Sequence, residues 1–242
     1  MRNERSDCRP AGGLAPRAWV IALGLSIAAP AAWAEGASAT VSFLSGGAAE
    51  AGSEGKLRAL AVGQEVKIGE TVKTQKGARL ELLFPDGSRF RVAENAELVL
   101  SDADFAGKKR DHVSLKLLAG RVWASVVKAT GGKDAFEVET KNAVTGVRGT
   151  SFAVLASADA SALVRVYTGT VGVRPSAVKK GERKQVPGPK QIDQRQWEEI
   201  IATAMKEVRV SAVGDIAPAQ DFEDSGDSLE WAQWNRQRDQ GK

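Results

Sequence analysis

From Val62 to Val173, apolar residues alternate with polar ones in short segments broken by glycine-containing turns. The turns are Gly63-Gln64-Glu65-Val66, Pro85-Asp86-Gly87-Ser88, Ala119-Gly120-Arg121-Val122, Val147-Arg148-Gly149-Thr150-Ser151-Phe152 and Thr168-Gly169-Thr170-Val171. Alternation with a period of two puts every second side chain on one face of a strand. Turn signals roughly every ten residues predict a sandwich, roll or barrel. The fold expected is all-β, a twisted antiparallel β-sandwich or roll, with a short helical tail at the C-terminus.

Individual strands follow from the same pattern. Leu80, Leu82 and Phe84 alternate with Arg79, Glu81 and Leu83, and Asp86-Gly87 supplies a tight hairpin turn into Phe90 and Val92. Ala96 to Leu100 forms the next strand, and Asp102 to Asp111 reads as a charged loop. Val113, Leu115 and Leu117 follow, and Gly120 turns the chain into Val122, Ala124 and Val126. Phe136 and Val138 alternate with Glu137 and Glu139. Phe152 and Val154 open another hairpin arm, while Val164, Val166, Val171 and Val173 flank a turn at Thr168-Gly169. Gly87-Ser88-Arg89-Phe90-Arg91-Val92 and Gly149-Thr150-Ser151-Phe152-Ala153-Val154 share the pattern Gly-[Ser/Thr]-x-Phe-x-Val, 62 residues apart. This is either a trace of duplication or two hairpins obeying the same turn chemistry.

Both ends of the chain differ from this middle. Arg2, Arg5, Arg9 and Arg17 precede the apolar run from Ala18 to Ala29, and Pro30 and Ala32-Trp33-Ala34 follow it. This is the form of an export signal cleaved after Ala34. This run of 12 residues falls short of the roughly 20 a spanning helix needs. The expected location is therefore the periplasm or the cell exterior, with no transmembrane segment after cleavage. Residues 35–61 are rich in glycine and alanine, with one strand at Val41 to Leu44. Residues 62–189 hold the β domain, and 190–242 a helical, partly disordered tail. Within that tail Gln194 to Val210 fits an amphipathic helix through Trp197, Ile200, Ile201, Ala204 and Val208. Asp215 to Asp227 reads as mobile, and Ser228 to Asp239 as a short helix bearing Trp231 and Trp234.

Composition restricts the chemistry. Cys8 is the only cysteine and lies within the export signal, so the expected mature chain has neither disulfide nor thiol site. His112 is the only histidine and reads as a solvated side chain. No catalytic residue, metal site or cofactor is expected, and Gly-x-Ser-x-Gly is absent. The run Asp221 to Asp227 has a glycine at the sixth place of a calcium loop, but Ala232 stands where the twelfth-place glutamate belongs. Glu137 and Glu139 share a strand face among lysines, and read as part of a mixed-charge surface. Residues 35–189 carry 23 basic and 17 acidic residues, residues 190–242 carry 7 and 11. Nucleic acid is not an expected partner at this near balance. An envelope protein or an anionic envelope polymer is. The candidate partner-binding residues are Arg148, which either stitches strands or holds a carboxylate, and Trp197, Trp231 and Trp234, which either pack back or anchor a partner.

One family resemblance emerges from these motifs. Gly63-Gln64-x-Val66, Gly69-Glu70-x-Val72-x-Thr74, Phe84-Pro85-Asp86-Gly87-Ser88, Leu117-Leu118-Ala119-Gly120-Arg121-Val122, Val147-Arg148-Gly149-Thr150-x-Phe152-x-Val154 and Val166-x-Thr168-Gly169-x-Val171-x-Val173 resemble the FecR domain in order and spacing over residues 60–175. The resemblance implies a twisted, mostly antiparallel β structure on the periplasmic side of a bacterial envelope. It also implies regulators with a cytoplasmic anti-sigma region, one transmembrane helix and a periplasmic domain coupled to an outer-membrane iron transporter. Here only 17 residues precede the apolar run, too few for that cytoplasmic region. The function expected is thus a non-enzymatic exported module for protein interaction or sensing. The alternatives are a regulator coupled to a sigma factor and iron transport, and an envelope polysaccharide-binding protein.

Overall fold

The computed structural model describes residues 38–128, 135–147, 149–176 and 200–241. The elements in chain order are β1 (Ser38–Ser45), β2 (Ala49–Ser53), β3 (Lys56–Ala59), β4 (Glu65–Lys67), β5 (Thr71–Thr74), β6 (Arg79–Leu83), β7 (Arg89–Val92), β8 (Glu97–Ala106) and β9 (Lys109–Ser125). They continue with β10 (Ala135–Glu139), β11 (Ala143–Val147), β12 (Ser151–Ala156), β13 (Ala162–Thr168), β14 (Thr170–Pro175), β15 (Ile200–Thr203), β16 (Lys206–Val210), β17 (Gln220–Asp221) and one helix, α1 (Gly226–Gln240).

The strands pair into two sheets that share β9. Sheet A runs β4-β1-β6-β7-β9-β12-β13-β16-β17, antiparallel throughout. Sheet B runs β3-β2-β5-β8-β9-β10-β11-β14-β15, where β9 and β10 are parallel. Residues up to Ala119 of β9 pair in sheet B, and Gly120 to Ser125 pair in sheet A. Gly120 sits at the bend with φ +91°, and a Cβ there would lie 2.5 Å from that of Ala96. Only glycine combines that backbone with that approach. The residue thus acts as a corner inside one strand, where the sequence suggested a turn between two.

The second family-like glycine behaves in the same way. β13 and β14 do not pair with each other: β13 lies between β12 and β16, and β14 between β11 and β15. Thr168-Gly169 is therefore a passage from sheet A to sheet B rather than a hairpin. Asp86-Gly87 is the hairpin expected, closed by Phe84 accepting from Gly87 and donating to Ser88.

The faint repeat is a register symmetry. Arg89, Phe90, Arg91 and Val92 pair with Ser125, Ala124, Trp123 and Val122 on one side of β9. Ser151, Phe152, Ala153 and Val154 pair with the same four residues on its other side. The inner face of sheet A thus carries the row Leu82–Phe90–Ala124–Phe152–Val166, in which small Ala124 makes room for two phenylalanines. All five are fully buried in the core between the sheets.

Three expectations change. Asp102 to Asp111 is mostly strand, the β8–β9 hairpin turning at Gly107-Lys108. Residues 200–210 form β15 and β16 instead of the second half of a helix; residues 194–199 lie outside the described residues. Of the expected helical stripe Ile201 and Ala204 are exposed, whereas Ala202, Val208 and Val210 enter the core between the sheets. Open edges of β14 and β13 recruit the segment as strands, so tertiary pairing overrides the local pattern. Asp215 to Asp227 is anchored through buried Phe222 and through Asp224, which accepts from Arg165 and Tyr167. Pairing also runs across residues 62 and 189: β1 joins β6, and β15 and β16 join β14 and β13.

Candidate functional site: the helix-covered face of sheet A

One residue out of step with the inner row lies a second row, on the opposite face. It reads Phe43–Glu81–Arg91–Trp123–Ala153–Arg165–Glu207–Gln220 across eight strands. An aromatic centre is flanked on each side by a carboxylate and a guanidinium in adjacent strands. Arg91 donates to Glu81 at 2.5 Å, and Arg165 to Glu207 at 2.9 Å. Opposite charges placed across neighbouring strands are a favourable cross-strand pair.

Helix α1 covers the row from Phe43 to Ala153. Asp227, Trp231, Asn235 and Asp239 recur every fourth residue and so share one helix face. Asp227 pairs with Arg121 at 3.0 Å. Trp231 enters a cluster with Ala93, Trp123, Ala153, Tyr167 and Phe222. Arg91 donates to the carbonyl and side-chain oxygen of Asn235, at 3.2 and 3.3 Å, and pairs with Asp239 at 2.8 Å. Trp123 donates its indole N–H to the other oxygen of Asp239 at 3.2 Å. A neighbouring stripe, Glu230, Trp234 and Arg238, meets Arg79, Phe43 and Glu81. Cations stack on the rings: Arg121 over Trp231 at 5.2 Å, and Arg238 over Phe43 at 4.0 Å.

The charged groups here are buried, which sets their titration. Arg91 is fully buried and the Glu81 side chain is 5% exposed. Burial pushes the Glu81 carboxyl up, but hydrogen bonds from Arg91 and Ser42 and the charges of Arg91 and Arg238 outweigh it and hold it below the usual range. Glu207 behaves alike: burial raises it, and bonds from Arg165, Arg209 and Gln220 bring it down. Tyr167 donates to Asp224 at 2.9 Å, and burial followed by the Asp224 charge pushes its phenol well above the ordinary value. Asp224 also receives Arg165 at 3.2 Å and Arg236 at 3.1 Å.

A second buried arginine holds the family-like turn. Arg110 on β9 bonds to the Asp86 carboxylate, to Ser88 Oγ at 2.8 Å and to the Val127 carbonyl at 3.1 Å, with Phe136 stacked 5.5 Å away. Asp86 also accepts from the Ser88 amide and hydroxyl. The sequence placed Arg110 in a loop, so its role was not visible there.

The expected partner-binding residues divide. Trp231 and Trp234 come together on α1, ring centroids 5.3 Å apart, with Trp231 4% exposed. Arg148 and Trp197 lie outside the described residues. Glu137 pairs with Arg174 at 3.1 Å and Glu139 accepts from Ser176 at 3.3 Å, which ties both carboxylates to the sheet. His112 sits on β9 opposite Asp104 and Ala135. Among the described residues, no group of three or more histidine, cysteine, aspartate or glutamate side chains is placed to hold a metal ion. Missing from the sequence reading were Glu81, Arg91, Trp123, Arg165 and Glu207. One signal was present, Trp123 at an outward position of a predicted strand; Glu81, Arg91 and Arg165 read as a solvated strand face, and Glu207 fell in the expected helix.

A family match covers part of this face. Residues 70–172 match the FecR protein family. The segment holds Glu81, Arg91, Trp123, Ala153, Arg165 and Tyr167, whereas α1 lies outside it. Two crystal structures of a candidate anti-sigma factor from Parabacteroides distasonis ATCC 8503, at 2.50 and 1.65 Å resolution, are similar at 17% identity and a TM-score of 0.47. The likeness covers 68% of this chain and spans 63% of the length of each of those structures. No curated protein matches the chain. Among the described residues, no helix is long and apolar enough to cross a membrane.

Proposed function

We propose that this chain is a non-enzymatic FecR-domain module, exported to the bacterial cell envelope, that acts in regulation or sensing by holding a protein partner. The observation that carries this reading is the FecR match over residues 70–172. The surrounding chemistry agrees with it. Glu81 and Glu207, two buried carboxylates held below the usual range, are spent on arginines within the fold, an arrangement that rigidifies a surface rather than poising these groups as acid or base. Export rests on the N-terminal signal, with Ala32-Trp33-Ala34 as the cleavage site.

Fractionation and capture test this together. The full-length tagged chain, produced in its native host, is recovered from the envelope with its N-terminus at Glu35. It retains a defined protein that a charge-matched exported control does not. Recovery from the cytosol with Met1 intact, or retention of envelope polysaccharide without protein, overturns the reading.

A further inference from the structure

Helix α1 is an imperfect fit to the face it covers. Of its side chains only Trp231, Ala232 and Asn235 are buried. Much of the rest of its hold is ionic and peripheral: Asp227, paired with Arg121, is 82% exposed, and Glu230, paired with Arg79, is 70% exposed. Exposed pairs of this kind contribute little. The face itself is demanding: Arg121 and Arg91 call for carboxylates, Glu81 for a cation, and the recess at Trp123 and Tyr167 for an aromatic ring.

The misfit is localised. Beside the first turn of α1 lies a largely apolar hollow of about 150 Å³, floored by Ala153, Leu155, Leu163 and Tyr167, walled by Trp231 and Ser228 and bordered by Arg121 and Arg165. A space of this size admits a benzene-sized group. Ser228 contributes only a hydroxyl beside it, turned back to the carbonyl of Ser225 at 2.8 Å. Leu155 and Leu163 continue the floor into a cleft of about 470 Å³ bounded by the Ser211–Ala217 segment.

We propose that the face of sheet A beneath α1 is the receptor for a helix of a partner protein, and that α1 is its resident competitor. The incoming helix repeats the acid–tryptophan–amide–acid stripe and carries a large apolar residue in place of Ser228. That residue fills the hollow that α1 leaves open. Charge complementarity sets the orientation, because acids must face Arg121 and Arg91 while a cation faces Glu81. This rests on the reading that the module holds a protein, and it names where.

The test uses the full chain and two synthetic peptides of residues 220–241, one native and one with Ser228→Leu, followed by amide hydrogen exchange. At saturation the Leu peptide speeds exchange of the α1 amides at least tenfold and leaves β9 and β13 protected. The native peptide needs roughly tenfold more for the same effect, the scale of burying one large aliphatic side chain. The proposal is overturned by unchanged α1 protection at saturating Leu peptide, by equal potency of the two peptides, or by β9 opening together with α1. Partner capture by a chain whose α1 the peptides cannot displace keeps the functional reading and moves the docking surface elsewhere. Displacement without partner capture leaves a helix receptor and removes the functional reading.

Discussion

The two faces of sheet A are made by the same strands one residue out of step, and they are held by different forces. The inner row Leu82–Phe90–Ala124–Phe152–Val166 is wholly apolar and closes against sheet B. The outer row from Phe43 to Gln220 sets charge pairs on either side of Trp123, and its part from Phe43 to Ala153 closes against α1. Apolar contacts are non-directional and many sequences satisfy them. Buried charges demand a partner of the right sign at the right atom. The inner face therefore specifies that the sheets stack, whereas the outer face specifies what may lie on it.

The contrast is sharpest in truncation. Phe152→Ala on the inner face should cost about 3–5 kcal/mol, because phenylalanine removal leaves a cavity that a close-packed core cannot refill. Denaturant unfolding should show the loss in sheet and helix signals alike. Loss of the α1 signal alone would mean that the two faces fold independently.

Arg91→Met tests the outer face at the next level. It leaves the buried Glu81 carboxylate with Ser42 and the more distant Arg238, removes the donor to Asn235, and leaves Asp239 with the Trp123 indole alone. Breaking a buried pair from one side costs about 3–5 kcal/mol, while replacing both partners with apolar groups can be neutral. Arg91→Met should lie at the lower end of that range, and adding Glu81→Leu should recover most of it. A double-mutant cycle by urea denaturation reads the coupling, and additive losses would refute the pair's interdependence.

These results also explain what could be read from sequence. Phe90 and Phe152 announced the inner face by alternation, and their shared glycine pattern announced a register symmetry without revealing that both flank β9. Gly120 and Gly169 announced bends, but φ above zero looks the same at a hairpin and at a corner between sheets. The choice depends on which strands stand alongside, and that is a long-range fact. Arg91 and Glu81 looked like solvent residues because their partners on α1 lie about 150 positions away in the chain. Helix α1 was legible from Ser228 to Asp239, but its face was not, since that face is marked by a four-residue spacing of acid, ring and amide rather than by hydrophobicity.

Acid should separate the faces without mutation. The lowered carboxyls of Glu81 and Glu207 stabilise the fold above the unfolded glutamate value of about 4.3, and that contribution is lost as pH falls through their lower folded values. Tyr167 acts at the other end: its raised phenol favours the fold below about pH 10, and the contribution is lost as pH rises further. The inner row contains no titratable group. Tryptophan emission from Trp123 and Trp231 should therefore shift below pH 4 before the far-ultraviolet sheet signal falls. Simultaneous transitions would show that acid attacks the core directly.

The smallest effect belongs to the rim. Arg79 and Glu230 are only 2.7 Å apart, yet their side chains are 33% and 70% exposed. Arg79 also stacks on Trp234 at 5.1 Å, a contact that survives loss of the carboxylate. Glu230→Gln should thus cost about 0.2–1 kcal/mol, and 1 M salt should erase the difference from the wild type, because water and ions screen an exposed pair. A loss above about 2 kcal/mol, insensitive to salt, would make the rim part of one cooperative network with Arg91. In that case α1 would be held as firmly as the core, and the distinction between a face that closes the fold and a face that selects an occupant would not stand.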